Sequence, residues 1–298
     1  MSNWITGVDI GGTHITACMV DTATGQMMEG SCVRGEIDPL QNREHIIAAW
    51  AKTIAACARQ HGSPVNRVGI ALPGPFNYEQ GISYITGLHK YESLYGLNVK
   101  ALLAAELGIP SGNIRMTNDA TAYLSGELKA GAGKGCDHIA GITLGTGLGS
   151  AMYEHGVFRE GDLWCFPFRE SRAEEFLSSR WFVSAYLDRR KQQVTGVKEL
   201  AAIAHNDTIA MQLFKEFGYT LGEVLKERFH GHFPERIVIG GNIAKAWDLF
   251  KPYCEEVLRQ HAPGCALTPA RLGENAALIG AAYLWEQNKM RRRAGEHK

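Results

Sequence analysis

The sequence predicts an α/β protein made of two similar halves, each a sheet whose strands break into glycine turns. Three observations carry that expectation. Val8-Asp9-Ile10-Gly11-Gly12-Thr13-His14-Ile15 is an apolar β-type stretch breaking into a Gly/Thr turn, with an Asp just before it. Thr143-Leu144-Gly145-Thr146-Gly147-Leu148-Gly149-Ser150 repeats that outline near the middle of the chain. Elsewhere, segments with helical apolar spacing alternate with short apolar runs, the pattern of strands covered by helices.

Taken in order, Ile5 to Asp9 reads as a buried strand and Ala17 to Asp21 as its hairpin partner, with Gly11-Gly12 between them. Thr24-Gly25-Gln26 turns the chain into a third strand. From Glu44 to Gln60, Ile46, Ile47, Trp50, Ile54, Ala55 and Ala58 recur near helical spacing. Val68 to Leu72 is the next strand, stopped by Pro73-Gly74-Pro75. Val99 to Leu107 is a helix ending at Gly108, and Asn113 to Thr117 leads to a polar corner at Asn118-Asp119. A second cycle then begins with a helix from Ala120 to Lys129 and a glycine-rich turn to Gly135. His138 to Leu144 is a strand, Ile237 to Ile239 a later one broken by Gly240-Gly241-Asn242, and a helix starts at Ala244. Ala276 to Trp285 closes the chain as an apolar helix, and Arg291-Arg292-Arg293 reads as its solvated end, where cations suit the dipole. The strand–glycine turn unit thus recurs as in a weak internal duplication. A boundary is expected near Thr117, giving domains 1–117 and 118–298, with the last helix (about 276–290) packing back on the first.

The bulk composition narrows the function classes. Thirty-one Lys+Arg balance 31 Asp+Glu, so no global field recruits nucleic acid or an anionic membrane. No apolar run is long enough to span a bilayer, and Ser2-Asn3-Trp4 leads at once into a strand rather than a signal peptide. The seven cysteines are scattered, with no C-x-x-C pair, which suggests reduced thiols in a cytoplasmic protein.

A glycine turn after a strand leaves backbone N–H groups free to point at an anion. Asp9 cannot itself attract phosphate; beside such a turn it makes sense as a holder of Mg²⁺ or its water shell. Thr13 offers a hydroxyl to the same place. An isolated D-x-G-G-T reads equally as an ordinary tight hairpin, but with Gly145-Thr146-Gly147 and Gly240-Gly241 downstream the turns form an ordered set. At Asn118-Asp119 a carboxylate on a strand-to-helix corner suits a base that takes a proton from an attacking hydroxyl. The competing reading is a helix N-cap, which Asn and Asp both fill readily. The two readings are compatible when different members of the pair serve them.

Asp9-Ile10-Gly11-Gly12-Thr13, Pro73-Gly74-Pro75, Asn118-Asp119-Ala120, Leu144 to Gly149, Val238-Ile239-Gly240-Gly241 and Leu278-Ile279-Gly280-Ala281-Ala282 occur in an order that resembles the ROK family, whose name joins repressors, open reading frames and kinases. The resemblance spans nearly the whole chain. It implies the two-domain actin-like ATPase (duplicated ribonuclease H-like) fold with an interdomain active-site cleft, ATP and Mg²⁺ as cofactors, and a homodimer. It implies phosphate contacts for Gly11, Gly12, Thr13, Gly145, Thr146 and Gly147, with Gly240 and Gly241 flanking the adenosine. It also implies Asp119 as general base, with Asn118, Gly74 and Glu174 on the sugar; the adjacent Glu175 leaves the register of Glu174 open by one.

Two segments depart from the family pattern. Many members carry Gly-Glu-x-Gly-His followed by a Cys-rich zinc loop, where this chain has Gly161-Asp162-Leu163-Trp164-Cys165-Phe166-Pro167. One thiol cannot build a four-ligand Zn²⁺ site, so no zinc is expected there, packing of Trp164, Phe166 and Phe168 replaces it, and Asp162 stands where the Glu would touch the sugar. At Thr86 to Leu94 the usual Asn before a Trp is missing, leaving His89 or Tyr91 as sugar contacts or as exposed loop residues. The activity implied is an ATP-dependent kinase acting on a hydroxyl of a hexose or N-acetyl hexosamine. The alternative is a sugar-binding regulator or catalytically silent sensor of the same family. A DNA-reading repressor is disfavoured in this reading because only eight residues precede Asp9.

Overall fold

A computed structural model describes residues 3–62 and 64–295, with the side chains of 287–295 outside the description. The expectation for Arg291-Arg292-Arg293 therefore lies outside the described residues. The chain divides into two units, Met1–Lys134 with Glu274–Lys298, and Gly135–Gly273.

In the first unit β1 (Trp4–Ile10) and β2 (His14–Asp21) pair as an antiparallel hairpin, closing at Ile10 opposite Ile15. The short strands β3 (Gln26–Met27) and β4 (Val33–Glu36) both pair with β2. Helix α1 (Arg43–Gln60) starts where the Asn42 side chain accepts the His45 N–H, an N-cap that satisfies one otherwise orphaned donor. Its buried face, including Ile46, Ile47, Trp50 and Ile54, covers the sheet with the periodicity expected of it. Strand β5 (Val68–Leu72) runs parallel to β1 and is buried throughout, as a strand covered on both faces should be. A small hairpin of β6 (Phe76–Asn77) and β7 (Ile82–Ser83) follows. Helix α2 (Val99–Leu107) ends on left-handed Gly108, and β8 (Ile114–Asn118) joins β5 in parallel and feeds α3 (Asp119–Ala130).

The second unit opens with β9 (His138–Leu144), β10 (Leu148–Glu154) and β11 (Val157–Glu160), an antiparallel meander. A two-residue ladder of β12 (Pro167–Phe168) and β13 (Ser171–Arg172) leads into α4 (Ala173–Phe176), α5 (Ser179–Arg190), α6 (Val197–Ile203) and α7 (Thr208–Arg228). Strand β14 (Arg236–Gly240), α8 (Trp247–Leu258) and β15 (Ala266–Pro269) complete it, β14 running parallel to both β9 and β15. Phe182, Phe214, Phe217 and Phe250 are fully buried and meet ring to ring, with centroids 4.8–5.3 Å apart, at the centre of its core.

The sheets run β3-β2-β1-β5-β8 and β11-β10-β9-β14-β15. Numbered locally, with β4, β6 and β7 set aside in the first unit and β12 and β13 in the second, each has the order 3-2-1-4-5. The internal duplication suggested by the glycine turns is therefore a duplication of topology.

The expected boundary near Thr117 is displaced. Helix α3 belongs to the first unit because the closing helix α9 (Asn275–Gly295) returns there and lies against it. Their backbones approach so closely that a Cβ at Gly126 would strike the Ala276 carbonyl, and one at Gly280 the Ala122 carbonyl. Only glycine admits that contact. The expectation of free thiols throughout is also corrected: Cys18 on β2 and Cys32 just before β4 form a disulfide, their Cα atoms 4.2 Å apart. Pairing of β4 with β2 brings together two cysteines separated by 14 residues, a spacing that carries no motif. Cys57, Cys136, Cys165, Cys254 and Cys265 are free. Among the described residues no helix is long and apolar enough to cross a membrane.

Candidate active site

Each unit carries its own cluster of predicted site residues. In the first unit the Gly11-Gly12-Thr13 turn joins β1 to β2, closed by the Gly11 N–H donating to the His14 carbonyl at 2.9 Å. Gly11 and Gly12 are half-buried and Thr13 is exposed, so the turn's backbone is open to a ligand. The Gly11 carbonyl accepts the Tyr91 hydroxyl at 2.5 Å. Tyr91 is buried, its ring edge-on to Trp50 at 5.4 Å. Tyr91 is therefore not an exposed loop residue: it ties the Thr86–Leu94 segment to the phosphate turn, and burial pushes its phenol pKa up. His89 remains exposed.

At the corner, the cap reading falls to Asn118. Asn118 is the N-cap, its Oδ1 accepting the Ala120 and Thr121 N–H groups at 2.9 and 3.3 Å. Its Nδ2 donates to the Tyr78 hydroxyl at 3.3 Å, and that hydroxyl lies 3.3 Å from the Leu72 carbonyl. Gly74, at the cis peptide bond to Pro75, packs against the same phenol. Asp119 is the first helical residue, with Oδ1 accepting the Ala120 N–H at 2.8 Å. Its tip is open to solvent while protein surrounds it in depth, and that burial raises its pKa. The Ala120 N–H and the Lys90 ammonium oppose the rise, favouring the ionised form.

Asp9 lies near the end of β1 and is strongly perturbed. Burial, then the charge of Asp119, then that of Glu274 push its pKa up to about 6, against a weaker opposite pull from Arg34. Arg34 and Glu274 are themselves 3.8 Å apart at the exposed edge. Three carboxylates answered by one nearby guanidinium make a place where a divalent cation lowers the repulsion, and carboxylate oxygens are the donors Mg²⁺ prefers.

In the second unit the Gly145-Thr146-Gly147 turn joins β9 to β10, with the Gly145 N–H on the Gly147 carbonyl at 3.0 Å. Glu174, in the first turn of α4, accepts the Leu148 N–H at 3.0 Å through Oε2 and faces Arg180 at 3.2 Å through Oε1. Glu175 instead pairs outward with Arg172. Of the two adjacent glutamates, Glu174 is the one that braces the turn. Gly240 ends β14, and Gly241 follows at φ +84°, where any Cβ would strike the Leu144 backbone. That contact seats the Gly240-Gly241 corner directly beside the strand entering the Gly145 turn. Asp162 is exposed in a left-handed conformation at φ +53°, its carbonyl accepting the Cys165 N–H. Its side chain makes no contact with the turn that the structure records. Around it Trp164 lies under Arg172, and Phe168 meets Phe176 edge-on at 5.7 Å.

Tyr78, Lys90, Arg34 and Glu274 were not singled out from the sequence. Lys90, Arg34 and Glu274 are distant in sequence from the residues they face, and Tyr78, though near Leu72 and Gly74, is 40 residues from Asn118; none sits in a patterned run, so only folding brings them in.

The ROK family profile matches residues 5–163 and 169–288, nearly the entire chain. The chain belongs to the ROK family. Only 164–168 interrupts the match inside it, within the Gly161–Pro167 segment that departs from the family pattern. This ROK chain is 26% identical to a glucokinase of Halalkalibacterium halodurans, over 96% of both chains. The ROK hexokinase of Thermus thermophilus superposes with a TM-score of 0.78 at 22% identity, over 96% of this chain and 99% of that one. A ROK glucokinase of Streptomyces griseus, solved with glucose and AMPPNP, superposes with a TM-score of 0.76 at 25% identity, covering 94% of this chain and 98% of its own. The two-unit α/β architecture is that of the ROK sugar kinases, a two-domain actin-like ATPase fold.

Proposed function

We propose that this ROK protein transfers the γ-phosphate of ATP to a hydroxyl of a hexose or an N-acetyl hexosamine, with Asp119 as the general base. It is an ATP-dependent carbohydrate kinase, in keeping with its glucokinase relatives and the nucleotide-bound neighbour. The finer reading rests above all on the division of labour at the corner. Asn118 caps the helix, which leaves one Asp119 carboxylate oxygen uncommitted and its pKa raised by burial, against a smaller opposing pull from the Ala120 N–H and Lys90. A carboxylate so placed is a stronger base than an ordinary one and takes the proton as the sugar oxygen attacks phosphorus.

The remaining roles follow the geometry. Backbone N–H groups of Gly11, Gly12 and Thr13, and of Gly145, Thr146 and Gly147, face phosphate oxygens, and Gly240-Gly241 flanks the adenosine. Asp9 holds Mg²⁺, which when bound supplies charge neutralisation for the phosphates. On the sugar, Asn118, Gly74, Asp162 and Glu174 are the assigned contacts. Of these, Asn118 and Gly74 share the Tyr78 hydroxyl, so that phenol orders the sugar side of the first unit.

The test is a coupled ADP-release screen across hexoses and amino sugars, with wild-type protein and Asp119→Asn. Turnover on one sugar class, lost in the variant while ATP still binds calorimetrically, is the expected result. Normal turnover in Asp119→Asn removes the base assignment. Absence of turnover on every sugar, with sugar binding intact, supports the silent sensor instead.

A further inference from the structure

The second unit holds a cluster of metal-ligating side chains at the opposite end of β9 from the Gly145 turn. His138 begins β9, and Glu154 ends β10 directly across from it in the antiparallel register. His232 comes from the turn after α7, where left-handed Gly231 redirects the chain toward β14. The His138 and His232 rings stack at 4.5 Å and 26°. His232 Nε2 lies 3.0 Å from Glu154 Oε1. One ligand atom from each of the three residues lies within 4.8 Å of the others.

Two readings compete. A stacked histidine pair with an exposed ion pair is an ordinary surface feature. That reading leaves one fact unexplained: His138 Nε2 is buried and has no hydrogen-bond partner. A buried ring nitrogen without a partner costs free energy, and native structures nearly always supply one. Two imidazole nitrogens and one carboxylate oxygen suit Zn²⁺ and disfavour Mg²⁺, which prefers oxygen.

We infer that His138, Glu154 and His232 form a zinc site, with water in the fourth position. Tetrahedral coordination with bonds of about 2.0–2.1 Å needs ligand atoms roughly 3.3 Å apart. The widest separation must therefore close by about 1.5 Å, which the His232 side chain, 66% exposed in a turn, accommodates by rotation. The backbone around the site is already braced: Glu235 Oε1 accepts the Asp137 and His138 N–H groups, and the Glu235 N–H donates to the His138 carbonyl at 3.0 Å. Arg159 lies 3.6 Å from the other Glu154 oxygen and orients that carboxylate. The ion pins the α7–β14 turn to the end of the β9–β10 hairpin. The seven-residue strand His138–Leu144, about 20 Å long, separates this site from the Gly145 turn. The expectation of no zinc was drawn from the Cys165 loop alone; these three ligands share no sequence motif and meet only through strand pairing and the turn.

The test uses full-length protein stripped with chelator, then titrated with Zn²⁺ by calorimetry, with bound metal counted by elemental analysis after dialysis. His232→Ala and Glu154→Gln are the variants, since both positions are partly exposed and removed from the proposed catalytic residues. One ion per chain in the wild type, a higher melting temperature with Zn²⁺, and loss of both in each variant, with unchanged circular dichroism and unchanged basal turnover, is the expected outcome. Co²⁺ in place of Zn²⁺ should show visible d–d bands without thiolate charge transfer. No stoichiometric ion, equal binding in the variants, or a thiolate band placing the ion on a cysteine overturns the site.

Discussion

Replacing Asp9 by Asn removes a charge that the fold holds at a cost, and the structure gives that cost a size and a pH window. The Asp9 pKa stands at about 6 against 3.8 for an unperturbed Asp, because of burial and the neighbouring Asp119 and Glu274 carboxylates. Two units at 1.36 kcal/mol each amount to at most about 3 kcal/mol of destabilisation. Below pH 3.8 the side chain is neutral folded or unfolded, and the penalty vanishes. Between 3.8 and about 6 the folded protein keeps a proton that the unfolded chain releases, so stability falls as pH rises. Above 6 the whole penalty is present. Urea unfolding of Asp9→Asn should therefore show equal stability to wild type near pH 3.5 and a gain approaching about 3 kcal/mol near pH 7.5. Mg²⁺ with ATP should then stabilise wild type more than the variant, since the proposed ion site is lost. A variant less stable than wild type at pH 7.5 refutes the charge argument, and an equal gain at both pH values would trace it to packing instead.

The other predictions use the same local geometry. Tyr91→Phe keeps the ring on Trp50 but deletes the hydroxyl on the Gly11 carbonyl, and should cost about 1 kcal/mol while raising KM for ATP, read from denaturation and initial-rate kinetics. Gly241→Ala forces a side chain into left-handed backbone and against Leu144, so a loss of at least about 1–3 kcal/mol is expected by denaturation, with weaker ATP binding by calorimetry. Asp119→Asn should lower kcat by about 10²–10⁴-fold at saturating sugar and ATP. Because the Asp119 pKa is raised, wild-type turnover should fall as acidification protonates the base at a pH above the ordinary carboxylate range, a limb absent from the residual rate of the variant.

Much of the fold was legible because its elements carry their own periodicity. Val68–Leu72, Val99–Leu107 and His138–Leu144 have the bounds that apolar spacing and the Gly108 stop imply. Long-range features were hidden for a definite reason. The domain boundary depends on α9 finding α3 through Gly126 and Gly280, a packing event with no local marker. The Cys18–Cys32 disulfide depends on the register of β4 on β2. Between Leu177 and Arg236 the sequence reading assigns no element, yet the stretch builds α5, α6 and α7 around a phenylalanine core.

The site divides along the same line. Turns that expose backbone leave a visible mark, since glycine frees a turn from Cβ, and the turns at Gly11-Gly12, Gly145 to Gly147 and Gly240-Gly241 stand where the glycines point. Side-chain support leaves none: Tyr91 reaches Gly11 across 80 residues, and Glu174 reaches Leu148 across 26. Asn118-Asp119 lies between these cases. Capping and catalysis both call for a small polar residue at a helix start, so composition cannot separate them; the hydrogen bonds can. With Asn118 spending its carbonyl on two N–H groups, Asp119 keeps an oxygen uncommitted to the helix. An aspartate in the cap would have its charge drawn into the helix end, which lowers its basicity; one residue later, the same carboxylate stays raised in pKa and available. The order Asn then Asp, rather than the mere presence of the pair, is what makes this corner fit for a base.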